Sequence, residues 1–591
     1  MNPSHVSRAV RASCIALLAT LLPLGAHAQA AKPAGGQQWL TRPERTDYAE
    51  TSRYDEVIAY MRQMAAANPQ IHLTTYGYTH EGRPLPLAVI GAPGTSPEQV
   101  IATKKTRVYI QGNIHAGEVE GKEALLWLLR SIARGERNEW LKSTVLMINP
   151  IYNADGNERV SVTNRGSQAG PVGGMGTREN ALGLDLNRDG TKMETAEARS
   201  MARLLTRYQP HVAMDLHTTD GSSTSGFNMT YETSLNPNNS KAEMSLLRDV
   251  MLPEITKTIK TKHGSDWFYY GGVSGTGADR AWRSDAELAK PRYTSTYYGV
   301  RNILGLLTET YSYASFKTRI QETYWFLEES LGFVHRNGAK IRDIVDAANK
   351  ESIIGQQLAV RQELVKAPEL QRIVFAPTVS TRNPYVADRP YRLKPDNAPV
   401  TSEMLPFFGT AQPTETSLAP RVYVIPNVAT AAAPAAAPAP AGGPPGGGRG
   451  GAGGGRGGGG FGGGGGTPTQ RMIASVSDRL EAHGISYSVT DREIPFSGER
   501  FKVATNTLAE REYQGTHKGR TLTGAWESTE QSLPVGSLII PMDQPLARLM
   551  FILLDPRSDD GFMWWNILDA VLGTTPGPTH YPVLRSMNAV K

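Results

Sequence analysis

The chain has 591 residues, of which 39% are hydrophobic and 20% charged, and its formal net charge is +6. These values indicate a globular protein of two or three domains and argue against a disordered or fibrous chain. Lys and Arg are dispersed and the net charge is small for this length, so we expect no nucleic-acid partner. Because Cys14 is the single cysteine, the chain cannot form an internal disulfide, and any metal must be held by His, Asp or Glu.

Residues 1–28 have the pattern of a signal peptide. Arg8 and Arg11 precede an apolar stretch at residues 14–24, which is too short for a permanent membrane anchor and ends near the small-x-small sequence Ala-His-Ala. We therefore predict a bacterial protein exported by a Sec-type signal to the periplasm or outside the cell, with no membrane span. Residues 29–46 are polar and are predicted to form a loose N-terminal segment.

Strand and helix patterns alternate between residues 47 and 346. An amphipathic helix is predicted over 54–67 and two strands within 73–90. Short apolar runs then predict strands at residues 108–110, 144–148, 212–216 and 303–308, and helical patterns lie at 121–134, 194–208 and 324–346. This alternation predicts an α/β fold with a mixed central sheet flanked by helices. In such folds, functional sites gather at the carboxyl ends of the strands.

The composition changes after residue 346. Residues 430–467 form an Ala/Pro tract followed by a Gly tract, which offers too little apolar surface to fold, so we predict a disordered linker. The segments on its two sides form one strand-helix-strand pattern, at residues 421–425, 471–483 and 485–489. The linker therefore interrupts a second domain of α/β or α+β class, predicted over residues 347–429 and 468–575. The sequence does not reveal a function for this accessory domain.

His115 and Glu118 lie on the predicted turn between the strand at 108–110 and the helix at 121–134. Three residues apart on such a turn, an imidazole and a carboxylate can reach one divalent ion from the same side. Nitrogen and oxygen ligands with one position left for water are typical of hydrolytic zinc. The pair therefore predicts a zinc hydrolase with one Zn²⁺ per chain.

A third ligand is expected at the end of a neighbouring strand. His217 directly follows the strand at 212–216 and precedes small polar residues, so it is the best candidate. Glu309 follows the strand at 303–308 in the same way. Two arginines and two asparagines also lie within residues 177–189. Near a zinc ion, one arginine could clamp a carboxylate and another could stabilise an oxyanion.

Taken in order, these segments resemble the zinc carboxypeptidases of the peptidase M14 family. The resemblance covers residues 54–342, and it rests on five motifs: His115-x-x-Glu118, Asn153-Ala154-Asp155-Gly156, Arg178-x-Asn180-x-x-Gly183-x-Asp185-x-Asn187-Arg188, Asp215-x-His217 and Leu307-Thr308-Glu309-Thr310. It implies a carboxypeptidase domain over residues 47–346 whose zinc is held by His115, Glu118 and His217.

The resemblance also implies roles on the substrate side. Asn187 and Arg188 would hold the free C-terminal carboxylate of a peptide, and Arg178 would face the oxyanion. Glu309 would be the general base for a zinc-activated water that hydrolyses the last peptide bond. The family also has a substrate-facing tyrosine, for which the spacing leaves five candidates: Tyr269, Tyr270, Tyr293, Tyr297 and Tyr298.

Two other functions stay open on the sequence. A zinc amidase or peptidase of the same fold could act on cell-wall muropeptides or acyl-amino acids, and the motifs do not separate it from a carboxypeptidase. A non-catalytic peptide-binding module would be expected to lack a ligand or the base, whereas this chain retains them all.

Overall fold

The structure is a computed structural model that describes residues 39–219, 221, 225–384, 386, 388, 390–428, 466–574 and 577–590. The predicted signal peptide lies outside the described residues, and so does the predicted linker except for residues 466 and 467. The described residues from Leu40 onward form one compact unit. No helix in these ranges combines the length and the apolar character needed to cross a bilayer.

The first part of the chain alternates strands and helices. Its helices are α1 (Arg42–Arg45), α2 (Tyr54–Ala67), α3 (Pro97–Ala102), α4 (Glu120–Ala133), α5 (Ala154–Glu158), α6 (Ala196–Tyr208), α7 (Lys241–Ser245), α8 (Leu252–His263), α9 (Thr294–Gly299) and α10 (Phe316–Lys350). Its strands are β1 (Ile71–Tyr78), β2 (Pro84–Ile90), β3 (Thr106–Gly112), β4 (Thr144–Asn149), β5 (Val212–Thr218), β6 (Met229–Thr233), β7 (Trp267–Tyr269), β8 (Gly272–Ser274), β9 (Ala281–Arg283) and β10 (Leu304–Thr310). A π-helical stretch, Leu246–Met251, joins α7 to α8, and short 3-10 turns lie at Trp140–Lys142, Leu186–Arg188, Gly277–Asp279 and Ala286–Ala289.

An eight-stranded mixed sheet organises this described part, in the order β1-β2-β4-β3-β5-β10-β6-β7. Strands β4, β3, β5 and β10 are parallel neighbours, whereas β1, β2 and β6 join through antiparallel pairings. The predicted mixed α/β sheet is confirmed. Because β3, β5 and β10 are parallel neighbours, the residues at their carboxyl ends meet at one edge.

Helices cover both faces of the sheet. On one face α4 packs closely, since a Cβ on Gly121 would lie 2.7 Å from the Cβ of Leu216 in β5. On the other face, Tyr109 of β3 and Ala213 of β5 share a hydrophobic cluster with Met201 of α6 and with α9. The alternation of these buried residues along each strand fixes which side chains face α9, and these include His217.

The second part of the chain is rich in antiparallel strands. Its strands are β11 (Gln357–Lys366), β12 (Gln371–Phe375), β13 (Val379–Thr381), β14 (Tyr391–Leu393), β15 (Thr401–Leu405), β16 (Phe407–Leu418), β17 (Val422–Ile425), β18 (Ser488–Val489), β19 (Ile494–Leu508), β20 (Arg520–Leu533), β21 (Leu538–Pro541) and β22 (His580–Ser586). Its helices are α11 (Pro468–His483), α12 (Ala547–Leu554) and α13 (Asp569–Leu572). A six-stranded sheet of order β18-β21-β17-β22-β19-β20 dominates it, and its neighbouring strands are all antiparallel.

The two parts share one hydrophobic core. Helix α10 runs through the predicted boundary at residue 346 and ends at Lys350. Strand β16 pairs in parallel with β9 of the first part, and one cluster joins Tyr109 of the central sheet to Tyr423 and Phe551 of the second part. The second part is therefore packed directly on the helical layer that covers the central sheet.

The expectation that residues 29–46 are loose is wrong for residues 40–46. The Thr41 amide donates to the Glu44 carboxylate at the start of α1, and Thr41 is buried. Arg130 of α4 donates to both oxygens of Glu44, at 2.6 and 2.9 Å. The segment is polar, but its charges pair with a residue 86 positions away in the chain, which local composition does not reveal.

Candidate active site

The turn between β3 and α4 carries the first two predicted ligands. Asn113 adopts a left-handed conformation with φ of +66°, which few residues other than glycine tolerate. Its side-chain amide donates to the backbone carbonyls of Ala116 and Glu118, at 3.2 and 3.3 Å. These bonds hold the turn in a shape that directs the side chains of His115 and Glu118 toward β5.

The three predicted metal ligands converge at one point. His115 Nδ1 lies 2.9 Å from Glu118 Oε1, and His217 Nδ1 lies 2.9 Å from Glu118 Oε2. One potential ligand atom from each residue lies within 4.8 Å of the other two, and all three residues are buried. This is the arrangement expected if one ion binds both Nδ1 atoms and the carboxylate.

The outer nitrogens of the two imidazoles face carboxylates. His115 Nε2 lies 3.0 Å from Asp185 Oδ1, and His217 Nε2 lies 3.0 Å from Asp215 Oδ2. A carboxylate in this position holds a hydrogen on Nε2, so the Nδ1 of a neutral imidazole presents a lone pair. That lone pair would face the Glu118 oxygens, which are also acceptors, unless a proton or a cation lies between them. The donor set therefore fits a divalent cation.

The charged groups around the ligands shift the pKa values of Glu118 and His217 in opposite directions. Burial alone would raise the pKa of Glu118, but the charges of His115 and Arg165 and the imidazole hydrogen bonds hold that pKa well below its usual range. Burial would lower the pKa of His217, but Asp215 and Glu118 outweigh it and raise that pKa well above its ordinary value. The pocket thus strongly favours positive charge between the carboxylates.

Arg165 belongs to this site and was not predicted. Its Nη1 donates to Glu118 Oε1 at 3.1 Å, and its Nη2 donates to the carbonyls of Thr218 and Thr219, both at 3.1 Å. The residue lies on a glycine-rich loop with no motif around it, in a left-handed conformation with φ of +47°. No spacing rule connects such a loop to the metal ligands, so the sequence carried no usable signal.

Arg178 is a second arginine near the Glu118 carboxylate. Its Nε and Nη2 contact Asp185 Oδ2 at 3.0 and 2.9 Å, and its Nη1 lies 3.7 Å from Glu118 Oε1. About a third of the side chain, 32%, remains exposed. The guanidinium is therefore oriented by Asp185 at the accessible rim of the centre, where it can reach a substrate oxygen.

Arg188 lies on the 3-10 turn that follows Asp185. Its Nη1 donates to the carbonyl of Asn187 at 2.8 Å and its Nε donates to the hydroxyl of Tyr513 at 2.9 Å. The guanidinium carbon stacks 4.0 Å above the centroid of the Tyr293 ring. The side chain is 16% exposed, so its neighbours fix it while a part of it stays accessible.

Asn187 is tied to the interior of the site. Its side-chain oxygen accepts from the Thr294 amide at 2.9 Å and from the Thr294 hydroxyl at 3.2 Å. Its nitrogen lies 3.4 Å from His217 Nε2. Thr294 also donates its hydroxyl to Asp215. Asn187 therefore fixes the start of α9 beside the second imidazole. Because His217 Nε2 already carries the hydrogen directed at Asp215, the amide hydrogens of Asn187 can donate to another acceptor.

Glu309 enters the site through strand register. It pairs with His217 of β5 on one side and with Thr230 of β6 on the other. Paired residues of neighbouring strands point to the same face of a sheet, so the Glu309 and His217 side chains share a face. The residue is half-buried. This places a carboxylate beside the metal centre without making it part of the ligand cluster.

The candidate substrate-facing tyrosines differ in burial and in the residues that they contact. Tyr297 and Tyr298 are fully buried, and the Tyr297 hydroxyl contacts His483 Nδ1 at 2.9 Å. Tyr269 lies under the guanidinium of Arg248, 4.2 Å from it. Tyr293 contacts Arg188, which is predicted to bind the substrate carboxylate. Burial raises the pKa of Tyr293, so its phenol is neutral.

Residues 57–301 match a known protein family. The model of peptidase M14, described as zinc carboxypeptidase, matches residues 57–301. Residues 57–301 are therefore similar to zinc carboxypeptidases. The matched zinc carboxypeptidase segment contains His115, Glu118, Arg178 and His217, whereas Glu309 lies just beyond its end.

Individual zinc carboxypeptidases resemble only part of this chain. Carboxypeptidase 2 of Trichophyton rubrum is 27% identical over 172 residues, which are 28% of this chain and 28% of the fungal protein. Carboxypeptidase E of Caenorhabditis elegans is 30% identical over 182 residues, which are 30% of this chain and 36% of that protein. The structure of a metallo-carboxypeptidase from Burkholderia cenocepacia is 18% identical, with a TM-score of 0.36 over 49% of this chain and 70% of that one. The chain therefore spans about a third of the length of these two curated relatives.

Proposed function

We propose that the chain is an exported zinc metallocarboxypeptidase that hydrolyses the C-terminal peptide bond of peptides. The observation that carries this proposal is the convergence of His115, Glu118 and His217 beside an accessible arginine, Arg188. A three-ligand centre supports hydrolysis, and a partly accessible arginine near it supports recognition of a free carboxylate.

The metal would be held by both Nδ1 atoms and the Glu118 carboxylate. Asp185 and Asp215 orient the imidazoles from behind, which keeps both Nδ1 lone pairs directed at the ion. A zinc ion bound there would supply Lewis-acid activation of a water molecule and polarisation of the scissile carbonyl. The match of residues 57–301 to the zinc carboxypeptidase family model supports zinc over other divalent metals.

Glu309 is the proposed general base. Its place beside His217 in the sheet supports this role, since a carboxylate there can take a proton from the attacking water and deliver it to the leaving amine nitrogen. Arg178 is the proposed oxyanion donor. Asp185 already holds its Nε and Nη2, so little reorganisation is required when negative charge develops on the carbonyl oxygen.

Arg188 is the proposed main ligand of the substrate carboxylate. Tyr293 below it and Asn187 beside it fix the guanidinium, which lowers the entropy lost when a carboxylate binds. Asn187 contributes an amide hydrogen to the same carboxylate. A peptide whose carboxylate is blocked as an amide would lose the charge that this pair recognises.

A single substitution tests the catalytic proposal. Glu309→Gln should keep zinc bound yet lower kcat on an N-blocked dipeptide by about a thousandfold, because the base is lost while the ligands remain. The measurement combines steady-state kinetics with metal analysis of the purified full-length chain. Glu98→Gln, on the exposed side of α3, is the matched control and should be as active as the wild type.

Two results would contradict this function. An unchanged rate in the Glu309→Gln variant would remove Glu309 as the base. A wild-type protein that cleaves purified muropeptides but no blocked dipeptide would favour a zinc amidase of the same fold, acting on the cell wall. A zinc-loaded protein that cleaves neither would favour a binding module.

Export is part of the proposal and rests on the pattern of residues 1–28 alone. An extracytoplasmic location would give the enzyme access to peptides and cell-wall fragments. N-terminal sequencing of the protein recovered from the periplasm or the medium should find Gln29 as the first residue, and an intact N-terminus on cytoplasmic protein would contradict export.

A further inference from the structure

The hairpin formed by β19 and β20 reaches the substrate side of the candidate site. Its connecting loop, residues 509–519, is called the hairpin tip below. The tip contacts the segment that carries the arginines at three hydrogen-bonded points: Tyr513 accepts from Arg188, Gln514 accepts from Asp185, and His517 contacts Glu194. A loop more than 300 positions away in the chain thus touches the residues proposed to bind the substrate carboxylate.

The tip has a specific backbone shape. Tyr513 and His517 close the turn through a backbone hydrogen bond of 2.7 Å. Gln514 and Gly515 between them both have positive φ, +50° and +89°. A non-glycine residue in this region costs conformational energy, and such residues are often held by functional contacts. Here the Gln514 side-chain oxygen accepts from the Asp185 amide at 3.0 Å, which fixes the carboxylate that orients His115.

Tyr513 and Arg188 together present two hydrogen-bond donors side by side. Arg188 uses Nε for the Tyr513 hydroxyl oxygen and Nη1 for the carbonyl of Asn187. Its Nη2 group has no partner among the residues that the structure describes. Because the Tyr513 oxygen accepts from Nε, its own hydrogen is available to donate. Nε and Nη2 lie on the same edge of a guanidinium, so the hydroxyl and Nη2 present adjacent donors.

An aromatic cage holds the Tyr513 ring in place. The ring lies 6.0 Å from the centroids of both Trp564 and Trp565. The same two indoles enclose Arg292, whose guanidinium carbon lies 4.0 and 4.7 Å from their centroids. Arg292 is buried and donates to Asp560 through both Nε and its backbone amide. The cage is built from both parts of the chain, so the tip position is a property of the assembled fold.

We propose that Tyr513 is a substrate-binding residue whose hydroxyl donates to the C-terminal carboxylate beside Arg188. The first part of the chain would supply the donors of Arg188 and Asn187 to the carboxylate pocket. The second part would add the Tyr513 hydroxyl. This inference rests on the proposed function, because it takes the carboxylate of a peptide as the ligand. It assigns a role in substrate recognition to a part of the chain outside the segment matched by the family.

The test compares binding of acids and amides. The ligands are N-acetyl-phenylalanine, N-acetyl-lysine and N-acetyl-alanine, each beside its carboxamide, titrated calorimetrically into the zinc-loaded full-length chain. Tyr513→Phe should weaken binding of the acids about tenfold and leave the amides unchanged, because one hydrogen bond to a charged group is lost. The substitution keeps the ring that packs against Trp564 and Trp565, so the melting temperature should stay close to that of the wild type.

The matched control is Tyr487→Phe, which removes another hydroxyl of the second part. Tyr487 precedes β18, at the opposite edge of the six-stranded sheet from the β19–β20 hairpin, and its hydroxyl donates to Glu481. The ratio of acid to amide affinity should be unchanged in this variant. An equal loss of acid affinity in both variants would overturn the inference. So would an unchanged acid affinity in Tyr513→Phe when the wild type prefers acids to amides.

The same titrations separate this inference from the proposed function. A wild-type chain that binds acids selectively but hydrolyses no peptide would refute the proposed hydrolysis, while a Tyr513-dependent ratio would still support the inference. A wild type without any preference for acids would refute the carboxylate pocket itself. In kinetics on a cleavable dipeptide, Tyr513→Phe should raise KM about tenfold with little change in kcat, whereas Glu309→Gln should lower kcat.

Discussion

The metal side and the substrate side of the candidate site are assembled in different ways. On the metal side, His115 and Glu118 follow β3 and His217 lies in β5, and both strands are parallel members of one sheet. On the substrate side, Arg188 depends on Tyr513, which lies 325 positions away on a hairpin of another sheet. The first arrangement follows from the topology of the α/β fold, whereas the second requires the assembled core. Substrate recognition should therefore be more sensitive than metal binding to changes in the second part of the chain.

After the loss expected for Glu309→Gln, the next largest effect is expected at Arg178, which lies beside the metal centre. Arg178→Gln should lower kcat by about a hundredfold or more, because one preorganised donor to the developing oxyanion is lost. Zinc content should not change, since Arg178 contacts the ligands only at a distance of 3.7 Å. Steady-state kinetics on a blocked dipeptide measure the effect.

Arg336→Gln provides the control for that substitution, because Arg336 pairs with Glu254 on an exposed surface of α10. A loss confined to KM in Arg178→Gln would contradict the oxyanion role. It would indicate that Arg178 binds the ground state of the substrate instead.

A smaller effect is expected where the hairpin tip meets Glu194 of the first part of the chain. Burial would raise the pKa of Glu194, but the hydrogen bond from His517 and the charge of Lys192 outweigh it and lower that pKa to about 2. A carboxyl whose pKa falls on folding stabilises the fold above its unfolded pKa of about 4.3, and that contribution is lost as the pH falls toward 2. Because the Glu194 side chain is 26% exposed, screening limits the contribution to the order of 1–2 kcal/mol.

Denaturant unfolding of Glu194→Gln measures this contribution. At pH 6 the free energy of unfolding of the variant should be lower than that of the wild type. This difference in free energy should narrow between pH 4.5 and pH 2. Glu369→Gln, at an exposed position, is the control and should follow the wild type at every pH. A difference that stays constant down to pH 2 would show that the Glu194 charge does not stabilise the contact.

The sequence predicted the metal side well because local patterns determine it. The apolar runs at β3, β5 and β10 identified the strands, and the position after each strand identified His115, His217 and Glu309. The carboxyl ends of adjacent parallel strands lie at the same edge of the sheet, independently of the conformation of the connecting loops. The predicted cluster of metal ligands is therefore confirmed as a spatial cluster, while the chemical roles of these residues stay predictions.

The substrate side could not be predicted because its contacts are long-range and its strands lack a clear period. Most residues of the β19–β20 hairpin are exposed or half-buried, so no regular alternation of apolar residues indicates two long strands. Tyr513 follows Glu510, Arg511 and Glu512, which suggests a solvated turn. The position of Arg165 and the ion pair between Glu44 and Arg130 were missed for the same reason.

Zinc stoichiometry tests the central claim most directly. The full-length chain, dialysed to remove loosely bound ions, should contain about one zinc ion by mass spectrometry of the metal. Glu118→Gln and His217→Ala should lose most of that zinc, whereas His263→Ala, at an exposed position outside the site, should retain it. A metal-free wild type, or a zinc content that is unaffected when Glu118 and His217 are replaced, would contradict the account.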